Sequence, residues 1–338
     1  MRYNRLMKLV LAVLCTLYFG SYSYAQIRVV NYNIANLRGD HEALQQVFDI
    51  ASEDDSHGKA MQVSIFLFQE VPESKVKPLH ALLGPNYSKG TFTDQGESSR
   101  AGAQAMFYDA TQLIEKVDSH KDIYTGAGRY ADRWELHGVG KRKGTVLWVY
   151  STHLKASRGE DNRDQRKTGA VAILEDIATL PEGSFVILAG DMNFYNNQEP
   201  AYQAITKLLR DPLGVGAWSD EDGAIKHTQS PRTIREGGLI HGGLDDRFDF
   251  QFISESLRDG KGLDIVEGSY HSLGNDGRHY DVAINKGDNT YFANDPIRAN
   301  TLATALHDAS DHLPVMADYD LVSKTPQETV PAPATEQN

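Results

Sequence analysis

Asp191 and Asn193 stand two apart, directly after an apolar run at residues 185–189 that Gly183 and Gly190 bound. A carboxylate can take a proton from water and a neighbouring carboxamide can hold that carboxylate in place, so the pair could serve hydrolysis. Taken alone, Gly-Asp-x-Asn is also an ordinary turn cap. Six more residues able to bind a metal or move a proton are Asn33, Glu70, His153, Asp249, Asp311 and His312, the last two in Ser310-Asp-His-Leu-Pro-Val. Each has a bland counterpart, since a carboxylate at a strand end is commonly a solvated cap and a lone histidine a satisfied core or surface group. What sets them apart is that each falls at or near the end of a strand-like run.

The elements that must position them can be read from residue periodicity. Residues 26–33 (QIRVVNYN) form a β-branched first strand that ends in Asn31 and Asn33. Asp40 caps a helix with Leu44, Val47, Phe48 and Ala51 on one face, and residues 63–68 form a buried strand ending in Gln69 and Glu70. Residues 104–108 and 113–117 read as a strand pair joined through Asp109, and 130–139 with 145–151 as a second pair leading to His153. A helix follows with Ala170, Val171, Leu174, Ile177 and Ala178 as its apolar stripe, and it returns the chain to the 185–189 strand. Beyond a short helix at 200–209, residues 214–243 are loop-rich. Strands at 247–253, which carries Asp249, within 260–276, and from 315 to about 321 complete the reading.

The chain has 338 residues, 40% of them hydrophobic, enough for one large core, and no linker divides residues 26–322. One domain over 26–322 is expected, followed by a disordered tail at 323–338, which is too poor in apolar residues to pack. Residues 1–25 combine Arg2, Arg5 and Lys8, an apolar centre at 9–19 and a small-residue exit at Ser23-Tyr-Ala. They read as a cleaved secretory signal, which implies a secreted or periplasmic protein with no retained anchor. The apolar centre is about half the ~20 residues that a membrane span needs. Cys15 is the only cysteine, so the cleaved chain could form no disulfide of its own. A formal charge of −12 is unlike that of a general nucleic-acid binder, and a polyanionic substrate would need a metal or a local basic rim.

In their order, Asn31-Tyr-Asn33-Ile, Phe68-Gln-Glu70-Val, Thr152-His153-Leu, Gly190-Asp191-Met-Asn193, Arg247-Phe-Asp249-Phe and Ser310-Asp311-His312-Leu-Pro-Val resemble the motifs of the endonuclease/exonuclease/phosphatase superfamily. Asn197-Gln-Glu-Pro-Ala-Tyr202 and Gly274-Asn-Asp-Gly277 look closest to its secreted bacterial members. The resemblance spans almost all of residues 26–322. It implies a deoxyribonuclease I-like fold: a four-layer α/β/β/α sandwich of two packed mixed sheets flanked by helices. It also implies a divalent cation, Mg²⁺ or Mn²⁺, held by Glu70 with Asn33 and Asp311.

By the same resemblance, Asp191, held by Asn193, would activate water. Asp249 would fix and charge His312 beside the scissile phosphate, and His153 would touch the phosphate or leaving oxygen as a general acid. Lys155 and Arg158 would add phosphate contacts or remain solvated loop cations. Ala35 replaces an acidic residue found in apurinic endonucleases, and their tyrosine-proline-asparagine loop is missing, which argues against abasic-site repair. The expected activity is metal-assisted attack of water on a phosphodiester, with nucleic acid the preferred substrate. Phosphatase or sphingomyelinase-like activity is the alternative, and a silent binding protein on the same scaffold a third reading. No stable protein partner is implied.

Overall fold

The computed structural model describes residues 26–99 and 101–322; the expected signal and tail lie outside them. The first strand, β1 (Ile27–Asn33), is buried along its whole length, with Val30 and Tyr32 facing one core and Ile27 and Val29 another. Apolar residues on both faces suit a strand with a layer on each side. Then come α1 (His41–Glu53), β2 (Ile65–Val71), α2 (Glu73–Leu83), β3 (Tyr87–Lys89), β4 (Ala103–Asp109) and β5 (Leu113–Glu115). The middle of the chain forms β6 (Lys121–Gly126), β7 (Arg129–Gly138), β8 (Val146–His153), α3 (Glu160–Ile177), β9 (Phe185–Asp191) and α4 (Pro200–Leu208). The last part contributes β10 (Asp249–Ile253), β11 (Gly262–Ile265), β12 (His271–Ser272), α5 (Pro296–Ala309) and β13 (Val315–Val322).

One sheet has the order β11-β13-β1-β2-β4-β3, with β12 also on β13; the other runs β10-β9-β8-β7-β5, with β6 on β7. Each mixes antiparallel ladders with one parallel pair, β1 with β2 and β8 with β9. Val29, Ile65, Leu67, Trp134, Val149 and Ile187 pack between the sheets. Phe48 of α1 and Leu302 and Leu306 of α5 cover the outer face of the first sheet over Phe66 and Phe68. Ile173 of α3 and Ile205 of α4 cover the second over Leu188 and Phe250. Each such side chain contributes about 1.5–3 kcal/mol by leaving water. The result is the expected four-layer α/β/β/α sandwich.

Some local expectations fail for physical reasons. β4 and β5 do not pair with each other: β4 joins β2 and β3, whereas β5 crosses to the other sheet and pairs with β7. Short-range pattern fixes strand character but not which sheet receives the strand. Val171 is partly exposed, while Gly169, Ala170, Ile173 and Ile177 form the buried stripe of α3; a Cβ on Gly169 would lie 2.8 Å from the Thr125 carbonyl oxygen. Neither α2 nor α5 stands out by periodicity. α2 carries Pro78, which cannot donate a helical hydrogen bond, and the inner face of α5 is largely alanine. The start of α5 is nevertheless written in Asp295-Pro296, a side-chain cap followed by proline at the first turn.

Candidate active site

Four strand ends meet at one edge of the sandwich. Asn33 ends β1 beside Gln69 of parallel β2, and His153 ends β8 beside Asp191 of parallel β9. Asp249 begins antiparallel β10 opposite Asp191. The segment before β13 passes Asn33, whose carbonyl accepts from Ser310 Oγ at 2.8 Å, and so brings Asp311 and His312 to the same edge.

The backbone is adapted to this convergence. The β2–β4 register jumps between Phe68 and Val71, a bulge that leaves Glu70 at φ 57°. A side-chain-bearing residue held there costs on the order of 1–3 kcal/mol. Asn193 takes φ 52° as well, and its N–H donates to Asp191 Oδ1 at 3.1 Å. Gly190 must be glycine, because a Cβ there would lie 2.0 Å from the Thr152 carbonyl oxygen of β8.

Asp191 Oδ2 is the centre of the cluster. Asn33 Nδ2 donates to it at 3.0 Å, His153 Nε2 lies 3.3 Å away and His312 Nε2 3.7 Å away. His312 Nδ1 is 2.7 Å from Asp249 Oδ2. Glu70 is held by two carboxamides, with Oε1 3.2 Å from Asn33 Nδ2 and Oε2 2.7 Å from Asn36 Nδ2. Asp311 Oδ2 accepts from the Ile240 N–H at 2.6 Å. The structure thus gathers Asn33, Glu70, His153, Asp191, Asn193, Asp249, Asp311 and His312 at one edge.

Burial and charge set the protonation states. Burial pushes the Glu70 carboxyl up, and the Asp311 charge adds to it. Asp191 rises to about 7 because burial and the Asp249 and Glu70 charges outweigh the His312 charge. Burial alone would lower His312, but Asp249 and Asp191 raise it to about 10, so its ring is charged at neutral pH. His153 goes the other way, held well below its usual range by burial and by the charges of Arg129 and His312. It is therefore a neutral imidazole, with Nδ1 buried and without a hydrogen-bond partner. An N–H donor rather than a resting cation is what this position offers.

Four carboxylates, Glu70, Asp191, Asp249 and Asp311, thus face charged His312 and the Arg129 guanidinium, whose charge acts on both Asp191 and Glu70. That imbalance, with carboxylate and carboxamide oxygens as the available donors, fits a hard divalent cation at Glu70 and Asp311 with Asn33 alongside. Among the described residues, the group that brings metal-ligating atoms within 4.8 Å of one another is a different one, namely His120, Asp122 and Asp132.

Three contributors escaped the sequence reading. Asn36 reaches Glu70 from a left-handed stretch at residues 35–37, and an asparagine so soon after the first strand was the available signal. Arg129, at the start of β7, donates from Nη1 to the carbonyls of His153, at 3.1 Å, and Leu154. Gln229 lies 2.6 Å from His312 Nε2, from a loop with no periodic signature. Lys155 donates to the Ala156 carbonyl, and Arg158 stacks on the Tyr195 ring at 4.2 Å, 3.7 Å from Asp246.

No family model and no curated protein matches the sequence. Solved structures match over nearly their whole length. The zebrafish (D. rerio) TDP2 complexed with single-strand DNA product shares 13% identity, covering 87% of this chain and 98% of that one, with a TM-score of 0.57. An endonuclease/exonuclease/phosphatase family protein of Bacteroides thetaiotaomicron shares 15% identity over 88% and 99%, with a TM-score of 0.53. The mannosyl-6-phosphatase of the same organism shares 16% identity over 87% and 99%, also at 0.53.

Proposed function

We propose, from a chain that has the deoxyribonuclease I-like fold of the endonuclease/exonuclease/phosphatase superfamily, that this protein is a secreted, divalent-metal-dependent hydrolase of phosphate esters. The observation that carries this is the convergence on Asp191 Oδ2 of Asn33, His153 and His312, with Glu70 one carboxamide away. Asp191, held by the Asn193 N–H and with its pKa near 7, is placed to take a proton from the attacking water. The His312 imidazolium, fixed by Asp249, opposes the negative charge that grows on the phosphoryl oxygens. His153 contributes a neutral N–H, and Arg129 a cation braced on the strand that carries His153. A divalent ion at Glu70 and Asp311, Mg²⁺ or Mn²⁺, would supply Lewis-acid polarisation of the phosphoryl group.

A nuclease-type phosphodiesterase is the reading that the motif set supports, and a neighbour carrying a DNA product is consistent with it. A small phosphate ester is the second reading, favoured by an acidic rim. Asp246 pairs through its backbone with Gln229, which touches His312; burial and the charge of Asp245 raise its carboxyl to about 6, and burial and the charge of Asp281 raise that of Asp245 in turn. Such a rim repels a long polyanion and tolerates a compact ester. The mannosyl-6-phosphatase among the neighbours supports the same direction. A panel of plasmid DNA, RNA, bis-aryl phosphate, sphingomyelin and mannose 6-phosphate tests both. Turnover of DNA or RNA supports the nuclease, turnover of the monoester alone supports the second reading, and turnover of none removes the hydrolase.

A further inference from the structure

Outside the candidate active site, the β6–β7 register sets Asp122 directly opposite Asp132. Like charges facing each other across an antiparallel pair destabilise the ladder. Here one of the two, Asp132, is also almost wholly buried. His120 Nε2 lies 2.9 Å from Asp132 Oδ1 and 3.7 Å from Asp122 Oδ1, so a single imidazole serves two carboxylates. The Thr93 hydroxyl, from the loop between β3 and β4, donates to Asp122 Oδ1 and lies 3.4 Å from Asp132 Oδ1.

A second observation comes from the opposite sheet. Gln104 of β4 is fully buried, and its carboxamide reaches into the cluster with Nε2 3.4 Å from Asp132 Oδ2. Its Oε1 has no hydrogen-bond partner. A wholly buried carbonyl oxygen without a donor costs about 1–3 kcal/mol, and the carboxamide that carries it lies beside Asp132.

We propose that His120, Asp122 and Asp132 form a structural site for a borderline divalent cation, Zn²⁺ above all, separate from the catalytic ion proposed at Glu70. One imidazole nitrogen, two carboxylate oxygens and a nearby hydroxyl match the mixed nitrogen and oxygen shells of Zn²⁺, whereas Ca²⁺ and Mg²⁺ take oxygen shells. A divalent charge balances both carboxylates, which one imidazolium cannot. The ion would staple the β6–β7 hairpin to the loop carrying Thr93. That loop also supplies Glu97, whose Oε1 accepts the Tyr130 N–H at 3.0 Å, next to Arg129. The site thus braces the hairpin from which Arg129 reaches the active edge.

The test uses the full chain stripped of metal, in a Glu70→Gln background that weakens the catalytic site. Zn²⁺ binding is measured by equilibrium dialysis with elemental analysis, and thermal unfolding is followed with and without ZnCl₂. The expected result is one Zn²⁺ per chain and a raised Tm. Adding Asp122→Asn should weaken binding by about tenfold or more and remove the Tm rise. Because that variant could misfold, X-ray absorption at the zinc edge of the Glu70→Gln protein with one equivalent of Zn²⁺ gives an independent reading, expected to show one imidazole nitrogen among oxygen ligands. Absence of Zn²⁺ uptake, unchanged affinity in Asp122→Asn, or an all-oxygen shell overturns the proposal and leaves an ion pair.

Discussion

His312 Nδ1 lies 2.7 Å from Asp249 Oδ2, and the pair is buried, so the carboxylate both aims the ring and keeps it charged. Asp249→Asn should therefore lower the His312 pKa from about 10 and cost on the order of 10²-fold in turnover. The loss should be larger at pH 8 than at pH 6, which a pH–rate profile reads directly. Stability carries the same sign. The folded protein holds the His312 proton more tightly than the unfolded chain does, so this contribution is complete below the ordinary histidine range, ~6.5, and is lost as pH rises towards about 10. Urea unfolding across that window should show a shallower decline in the variant; an equal decline would remove the linkage.

Glu70 is the carboxylate held by Asn33 and Asn36, and the proposed ligand of the catalytic ion. Chelation should abolish hydrolysis, and Mg²⁺ or Mn²⁺ should restore it. Glu70→Gln should raise the Mg²⁺ concentration needed for half-maximal rate by about 10–100-fold. A Mg²⁺ titration of a folded variant that overlays the parent would move the ion elsewhere.

Gly190 meets the Thr152 carbonyl oxygen where a Cβ would sit 2.0 Å away, at φ 149°. Gly190→Ala should cost about 3 kcal/mol or more in denaturant unfolding and displace Asp191, so activity falls together with stability. A variant as stable as the parent would show that β8 can move aside.

Arg28 and Asp318 form a buried pair across β1 and β13, 2.7 Å apart, and Arg28 also donates to the carbonyls of Ala51 and Asp54. Asp318→Asn leaves a buried guanidinium uncompensated and should destabilise by about 3–5 kcal/mol. Arg28 lies towards the start of β1, away from Asn33 at its end, so kcat of the folded fraction should stay close to that of the parent. A large fall in kcat with intact stability would contradict this separation.

Much of the active edge was legible because strands that end in polar residues advertise themselves: an apolar run stopped by Glu70, His153 or Asp191 is visible without coordinates. The partners that hold these groups were not. Asn36, Arg129 and Gln229 reach the site through a left-handed backbone, a neighbouring strand and a loop, and none of these leaves a periodic trace. Likewise β5 reads as a strand locally, but its transfer to the second sheet is decided by the packing of Leu113 with Trp134 and Leu136 between the layers.

The placement of β13 sets an order in time. A chain emerging amino end first holds Asn33, Glu70, His153 and Asp191 well before it holds Asp311 and His312, which arrive with the strand that slots between β11 and β1. Until that insertion, β1 is a bare sheet edge and Asp249 has no imidazole to hold. A chain clipped before residue 311 lacks the imidazole that Asp249 holds and the Asp311 carboxylate proposed as an ion ligand.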